Sequence, residues 1–388
     1  MSGSGTPWAR FDDLRAGTAL RCPPPFRVLA AATPADVVPV LAEVERATAA
    51  EHWAFGYVGY EAAPGLDPAL PSHPADPDGP PPAWFGLCAP PRPVDPVTAA
   101  GSTALDWRPD WSDAEHRRAV EGVRERIAAG DTYQVNLTDR LRAPFEGDPA
   151  GLYADLAAAQ AGAHNAYLDL GRHVLASASP ELFFDWDGDV LRTRPMKGTA
   201  ARGRTSDEDR RRGDDLRGSA KERAENLMIV DLLRNDVSRV ARVGSVDVPA
   251  LFELEEYPTV WQLTSEITAR TRADVGLVDV FRALFPCGSV TGAPKRASMQ
   301  IICEQEPTPR GIYCGAIGLV APPAAPFRAR FGVAIRTAVV DRDRRTAVYG
   351  AGGGITWGSD PAAERAELLA KAAILRGAPA VPTVGTSA

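Results

Sequence analysis

The chain has 388 residues, of which 45% are hydrophobic and 24% charged, and a formal net charge of −7. That composition excludes a disordered or fibrous chain and allows two or three globular units, or one large α/β domain with a sizeable core. The negative balance argues against a general nucleic-acid binder, yet leaves room for a local site that takes a small anion. The longest apolar runs are too short to span a bilayer. Met1-Ser2-Gly3-Ser4-Gly5 lacks the basic-then-apolar form of a signal peptide, so a cytoplasmic protein is expected. Cys22, Cys88, Cys287, Cys303 and Cys314 are scattered, odd in number and outside any CxxC pair, which argues against a disulfide frame or a zinc knuckle. The last histidine is His173, so a Ser-His or Cys-His dyad cannot arise within the C-terminal half.

Residues 1–110 are rich in Pro and Ala and contain one strand-like piece, residues 53–60. Residues 65–95 read as an irregular, extended surface segment. A helix follows Ser112 or Asp113, with Val120, Val123 and Ile127 on one face and Gly130-Asp131 at its end. Residues 132–138 alternate and are β-prone, and residues 167–170, 174–177 and 182–186 read as successive strands. The Arg and Asp of residues 201–218 interleave in sign, which predicts a solvated loop. Ser219 caps a helix over about 220–235, and further helices are predicted over 294–304 and 361–375. Strands near 316–320, 328–338 and 347–349 lie between those last two helices. Strands interspersed with helices give an α/β or α+β class with large sheets.

Four constellations can carry chemistry. Glu222 and Glu225 share a helix face, and Glu364 and Glu367 repeat the spacing on the last helix. Four carboxylates from two helices suit a hard divalent cation, magnesium above all; the alternative is two solvated helix faces beside Arg223 and Arg365. Residues 194–199, Arg-Pro-Met-Lys-Gly-Thr, predict a tight turn around Lys197. A lysine fixed in such a turn can be desolvated and act as a nucleophile; the alternative is a surface lysine. Glu181 precedes Leu182-Phe183-Phe184, where an apolar setting would raise a carboxyl pKa toward general-acid work; the alternative is a strand-edge glutamate in water. Residues 350–355 and 288–295 are glycine-containing segments whose backbone amides could approach an anion, though neither has Walker spacing. Arg336 and Lys371 add cationic partners.

Together these segments resemble the chorismate-utilising enzymes, a family that includes anthranilate synthase large subunits, aminodeoxychorismate synthase component I, isochorismate synthases and salicylate synthases. The resemblance runs from about Asp113 to Lys371. It rests on Tyr133-Gln134-Val135-Asn136-Leu137, Ser179-Pro180-Glu181, Pro195-Met196-Lys197-Gly198-Thr199, the run Arg223 to Asp236, Gly288 to Lys295, Tyr313 to Gly318, and the glycine-rich strand end before Glu364 and Glu367. It implies an anthranilate synthase component I-like fold of class α/β (α+β). Large mixed or antiparallel sheets would form a β-sandwich core flanked by helices. Residues 1–110 would pack on a chorismate-binding unit spanning 111–380.

Within the family, hydrating relatives carry a lysine where this chain has Gln134, and anthranilate synthases usually carry a small residue where it has Lys197. The resemblance therefore implies the aminodeoxychorismate synthase branch. Anthranilate or 2-amino-2-deoxyisochorismate formation, and a non-catalytic chorismate-binding subunit, stand as alternatives. On that resemblance Lys197 is the nucleophile and Glu181 the general acid and base. Glu225 and Glu367 hold Mg2+, with Glu222 and Glu364 acting directly or through water. Gly198, Thr199, Thr291, Gln134 and Gln262 line the substrate, and Tyr313, Arg336, Lys371 and the amides of Gly352, Gly353 and Gly354 hold its second carboxylate. Gln262 stands where the family usually has a histidine, and it cannot carry a proton at neutral pH. No Leu-Leu-Glu-Ser segment is present, so tryptophan feedback is not expected. No glutaminase domain is recognisable, so ammonia is expected from a separate glutaminase subunit in a heterodimer.

Overall fold

The structure is a computed structural model that describes residues 5–102, 105–258 and 260–376. Met1 to Ser4, and the end of the expected 111–380 unit, lie outside the described residues. The N-terminal part supplies β1 (Trp8–Asp13), β2 (Thr18–Cys22), β3 (Arg27–Ala31), α1 (Val37–Ala49), β4 (Trp53–Val58), α2 (Ala63–Leu66), β5 (Ala83–Cys88) and β6 (Arg92–Val94). Then come β7 (Arg108–Pro109), α3 (Asp113–Ala128), β8 (Gln134–Pro144), α4 (Pro149–Gln160), β9 (His164–Asp169), β10 (His173–Ser179), β11 (Leu182–Asp187), β12 (Val190–Arg194) and β13 (Met196–Ala201). The remainder is α5 (Ser206–Gly218), α6 (Ala220–Ser238), β14 (Asp247–Glu256), β15 (Val260–Arg270), α7 (Leu277–Leu284), β16 (Gly292–Ala293), α8 (Lys295–Gln305), β17 (Ala316–Val320), β18 (Ala329–Val333), β19 (Thr337–Asp341), β20 (Thr346–Ile355) and α9 (Pro361–Lys371).

Two ten-stranded sheets face each other. One runs β16-β8-β20-β19-β10-β9-β1-β2-β6 with β7 on β8; the other runs β13-β15-β12-β11-β18-β17-β4-β5-β3 with β14 on β15. The strand pairs across these sheets are antiparallel, as in β8 with β20 and β17 with β4. N-terminal strands complete both sheets, β1 pairing with β9 and β4 with β17. Alternation along the strands builds the layers. In β5, Trp84 and Cys88 point between the sheets with Phe55, Tyr57 and Leu168, while Phe85 and Leu87 point outward into the cluster that α1, α6 and α7 cover. The outer face of the first sheet is covered by α4 and α9 around Leu141, Tyr153 and Tyr349, and by α3 and α8 around Val120, Val135 and Ile301. The α3 boundary follows its capping box: Glu115 N–H donates to Ser112, and the Glu115 carboxylate accepts from the Ser112 backbone, a pattern worth about 1 kcal/mol.

Four local expectations change. Residues 65–95 contain β5 and β6; every residue of β5 is buried, so the polar–apolar alternation that marks a half-exposed strand is missing. Residues 201–218 contain α5, because the interleaved charges fall at helical spacing: Arg212 pairs with Glu208 and Arg210 with Asp207, and Thr205 caps the first turn. The expected strand over 328–338 breaks before Arg336, whose φ is +49°. The turn expected at 194–199 is a strand, β13, that carries a bulge.

Candidate active site

The bulge decides where Lys197 points. In the β13–β15 ladder Met196 faces Thr264 and Thr199 faces Gln262, so Lys197 and Gly198 occupy the space of a single partner residue. Such an extra residue breaks the side-chain alternation and re-aims what it carries. Gly198 makes it sterically cheap, at φ +95°. A second glycine makes room for the amine. A Cβ on Gly354, at the end of β20, would lie 2.9 Å from Lys197 Nζ and 2.5 Å from Gln134 Nε2. Burial holds the Lys197 ammonium below its ordinary pKa, helped by repulsion from Lys371 and opposed by Glu225, Glu181 and Glu367. Behind the bulge, Asn226 Nδ2 of α6 donates to Lys197 O at 3.4 Å and its Oδ1 accepts from Ser265.

Glu181 follows the end of β10 and is 3% exposed. Burial pushes its carboxyl up to about 7, against the hydrogen bond from Ser289 and the charge of Lys197. Ser289 Oγ donates to Glu181 Oε1 at 2.6 Å. Segment 288–295 thus supplies a hydrogen-bond partner to Glu181. Its Lys295 is consumed by Asp236 at 2.8 Å and by Leu284 O, and Thr291 donates to Cys287 O. Gln262, where a histidine was expected from the resemblance, is a bridge: it donates to Gly198 O at 3.0 Å and accepts from Thr199 Oγ1 at 3.2 Å. Gln134 is fully buried, and neither polar atom of its amide has a hydrogen-bond partner.

The two acidic pairs face each other from α6 and α9. Burial raises Glu222, Glu225 and Glu364, and each is raised further by repulsion from Glu367. Glu367 itself is pushed up by partial enclosure but held below its ordinary value by Lys371, at 2.8 Å. Glu364 accepts from Ser359 at 2.6 Å. A Cβ on Gly198 would lie 3.0 Å from Glu222, and one on Gly353 would lie 3.2 Å from Glu364, so both helices press on the strands that carry Lys197 and the glycine run. Among the described residues no three His, Cys, Asp or Glu side chains already converge on one point. Mutual repulsion among oxygen donors is the condition that a hard cation relieves, so the donor chemistry suits magnesium, with water completing the shell.

The remaining sequence-marked residues divide. Lys371 Nζ donates to Gly352 O at 2.9 Å, joining α9 to the glycine run. The Tyr313 ring packs over Gly350, leaving no room there for a Cβ. The Arg336 guanidinium donates to Gln160 of α4. Sequence reasoning passed over Ser289 and Asn226, although both lie inside quoted segments. An asparagine within a helix, next to Glu225, is the signal that could have found the second, since its propensity there is poor.

The chain is similar to known proteins in both sequence and fold. A family model described as chorismate binding enzyme matches residues 90–377. Anthranilate synthase component 1 of Streptomyces coelicolor is 41% identical over 282 residues, 72% of this chain and 54% of that protein. Aminodeoxychorismate synthase component 1 of Escherichia coli is 40% identical over 266 residues, 69% of this chain and 58% of that one. The chain thus spans a little over half the length of these relatives. The crystal structure of anthranilate synthase component I from Streptococcus pneumoniae superposes with a TM-score of 0.76 at 26% identity, covering 87% of this chain and 85% of that one. The menaquinone-specific isochorismate synthase of Escherichia coli, 19% identical, shares the fold over 97% of this chain and 89% of its own, at a TM-score of 0.73. With a family match running from β6 through α9, across every element that assembles Lys197, Glu181 and the facing glutamates, the chain belongs to the chorismate binding enzymes.

Proposed function

We infer that the chain is the chorismate-aminating component of an aminodeoxychorismate synthase, which converts chorismate and ammonia to 4-amino-4-deoxychorismate. The observation that carries this reading is the Lys197 amine, lowered by burial, held in a bulge over Gly354 and electrostatically coupled to a buried carboxyl at about 7. A small residue in that bulge would leave no nucleophile. Lys197 Nζ forms a bond to ring C2, both ring double bonds shift in sequence (C1=C2 to C1=C6, C5=C6 to C4=C5), and the C4–O bond breaks. Glu181 donates its proton to the departing hydroxyl, which leaves as water. Ammonia then bonds C4, the electron pairs shift back, and the C2–N bond breaks to return Lys197, with Glu181 accepting the surplus proton. Two displacements relayed through the conjugated diene replace one difficult substitution. The enolpyruvyl group stays attached.

Glu225 and Glu367 are the proposed ligands of a magnesium ion, with Glu222 and Glu364 bound directly or through water. Bound there, the ion supplies positive charge that lets the ring carboxylate approach four glutamates. Gly198, Thr199, Thr291, Gln134 and Gln262 line the ring in this reading. Tyr313, Lys371 and the amides of Gly352, Gly353 and Gly354 take the other carboxylate, and Arg336 joins them on releasing Gln160. Ammonia is supplied by a separate glutaminase subunit, so the working form is a heterodimer.

Anthranilate formation is the second reading, because relatives of both names match at about 40% identity. Incubation with chorismate, magnesium and ammonium, without added lyase, separates the two. A product that retains the enolpyruvyl mass supports the first reading, and free fluorescent anthranilate overturns it.

A further inference from the structure

A cavity of about 490 Å³ opens between the inner face of the β8–β20–β19 region and the chain segments 74–82 and 308–313. Neither Lys197, Glu181 nor any of the four facing glutamates lines it. Its volume lies in the range of small-molecule sites. One wall is apolar: Val339 and Val348 line it and are only partly buried, although their strands lie inside the sheet, and Tyr313 and Pro80 to Pro82 complete that side.

The other wall is cationic. Arg140 and Arg142 are two apart on β8, so they share its inner face. Arg140 donates to neutral oxygens alone, those of Thr308 and the carbonyl of Pro309, and among the described residues no carboxylate lies within ion-pair distance of it. Burial lowers its pKa, opposed by the charge of Glu306 and more weakly by Glu61 and Asp110, with Arg142 adding to the lowering. Arg142 meets Asp110 through Nε, at 2.9 and 3.0 Å. The nearby acids are already engaged. Glu306 is bound by Arg310 at 2.6 Å, Glu61 accepts two backbone N–H groups and is pushed up to about 7 by burial, and Asp76 caps its own turn through Asp78 N. A partly buried guanidinium with no directly paired carboxylate, beside an apolar wall, is the arrangement that recognises an amphipathic anion.

We propose that this cavity is a second ligand site, bordering the residues assigned to chorismate at Tyr313 alone, for a small monocarboxylate with an apolar ring or branched body. The carboxylate lies on Arg140 and Arg142, and the body lies against Val339, Val348 and Tyr313. The proposal does not rest on which amine product the enzyme makes.

Calorimetry on the full chain with phenylacetate and its uncharged isostere phenylacetamide tests it. Phenylacetate is expected to bind one-to-one and phenylacetamide about tenfold more weakly or worse, the loss of a charge-assisted contact. Arg140→Gln should weaken phenylacetate about tenfold and leave phenylacetamide unchanged. Val339→Trp projects a large ring into the cavity and should remove both. Three results overturn the proposal: no phenylacetate binding at millimolar concentration, equal affinity for both probes, or intact binding in Val339→Trp. Should Val339→Trp fail to fold, Arg140→Gln with the acid–amide pair decides alone. Amination assayed on the same preparation reports the function reading separately.

Discussion

Glu181 and Glu61 make an instructive pair. Each is 3% exposed, and burial pushes each to about 7. Their neighbours differ. Glu61 accepts the backbone N–H groups of Arg310 at 2.7 Å and Gly311 at 2.8 Å, donors that never give up a proton. It fastens the segment whose Arg310 side chain reaches Asn136 O and Val290 O. Glu181 accepts from the Ser289 hydroxyl and senses the Lys197 amine, itself displaced toward neutrality. A raised carboxyl pKa therefore marks burial. It marks chemistry only where a second titratable group has been moved to meet it.

The largest expected effect breaks that meeting. Lys197→Ala should lower amination by about 10⁴-fold, the scale of removing a covalent nucleophile, while calorimetry still detects magnesium-dependent chorismate binding. Unchanged turnover would reduce Lys197 to the status of Glu61's neighbours. Glu181→Gln should cost about 10³-fold and alter the pH profile. The sign follows from the roles. Lys197 attacks as the free amine, so rate falls on the acid side as it protonates. Glu181 donates as the acid, so rate falls on the alkaline side as pH passes about 7. Glu181→Gln should erase that alkaline limb, and a limb that persists would assign it to another group.

The two regions also differ in how far the sequence exposes them. The acidic pairs on α6 and α9, the cap at Ser219 and the strand Ala316–Val320 are local patterns, and each lies where spacing predicts it. The antiparallel sandwich with its flanking helices agrees with what the family resemblance implies. Other features depend on partners far along the chain. Whether Lys197 lies in a turn or a bulge is set by its pairing with Thr264 and Gln262, more than sixty residues away, and no local propensity encodes that register. The links from Ser289 to Glu181 and from Arg336 to Gln160 are equally distant. β5 and α5 escaped for a different reason. Total burial erases alternation in the first, and dense charge hides a helix in the second.

Glu225→Gln sharpens the comparison from the metal side. It removes one oxygen charge from the facing set and should weaken the magnesium dependence of turnover about 100-fold, with chorismate binding following the metal. A magnesium titration identical to wild type would separate α6 from the ion and leave Glu222 and Glu225 as a solvated face.

The smallest effect on turnover is expected at Glu61, and its signature lies in stability. Glu61→Gln keeps an oxygen acceptor for the Arg310 and Gly311 amides but cannot ionise. In the native wild type Glu61 keeps its proton up to about 7, whereas its ordinary pKa is 4.5. Between those values the native state binds more protons than the unfolded state, so stability falls as pH rises through the window. One buried group displaced that far contributes on the order of 3 kcal/mol across the window. Urea unfolding at pH 5 and pH 8 should therefore show a smaller loss of stability on the alkaline side in Glu61→Gln than in wild type, with amination per folded molecule unchanged. Glu181→Gln should flatten the same slope but also lower turnover by the roughly 10³-fold expected above. If the two variants instead lost activity alike, the distinction between a carboxyl facing fixed amides and one facing a titratable amine would fail.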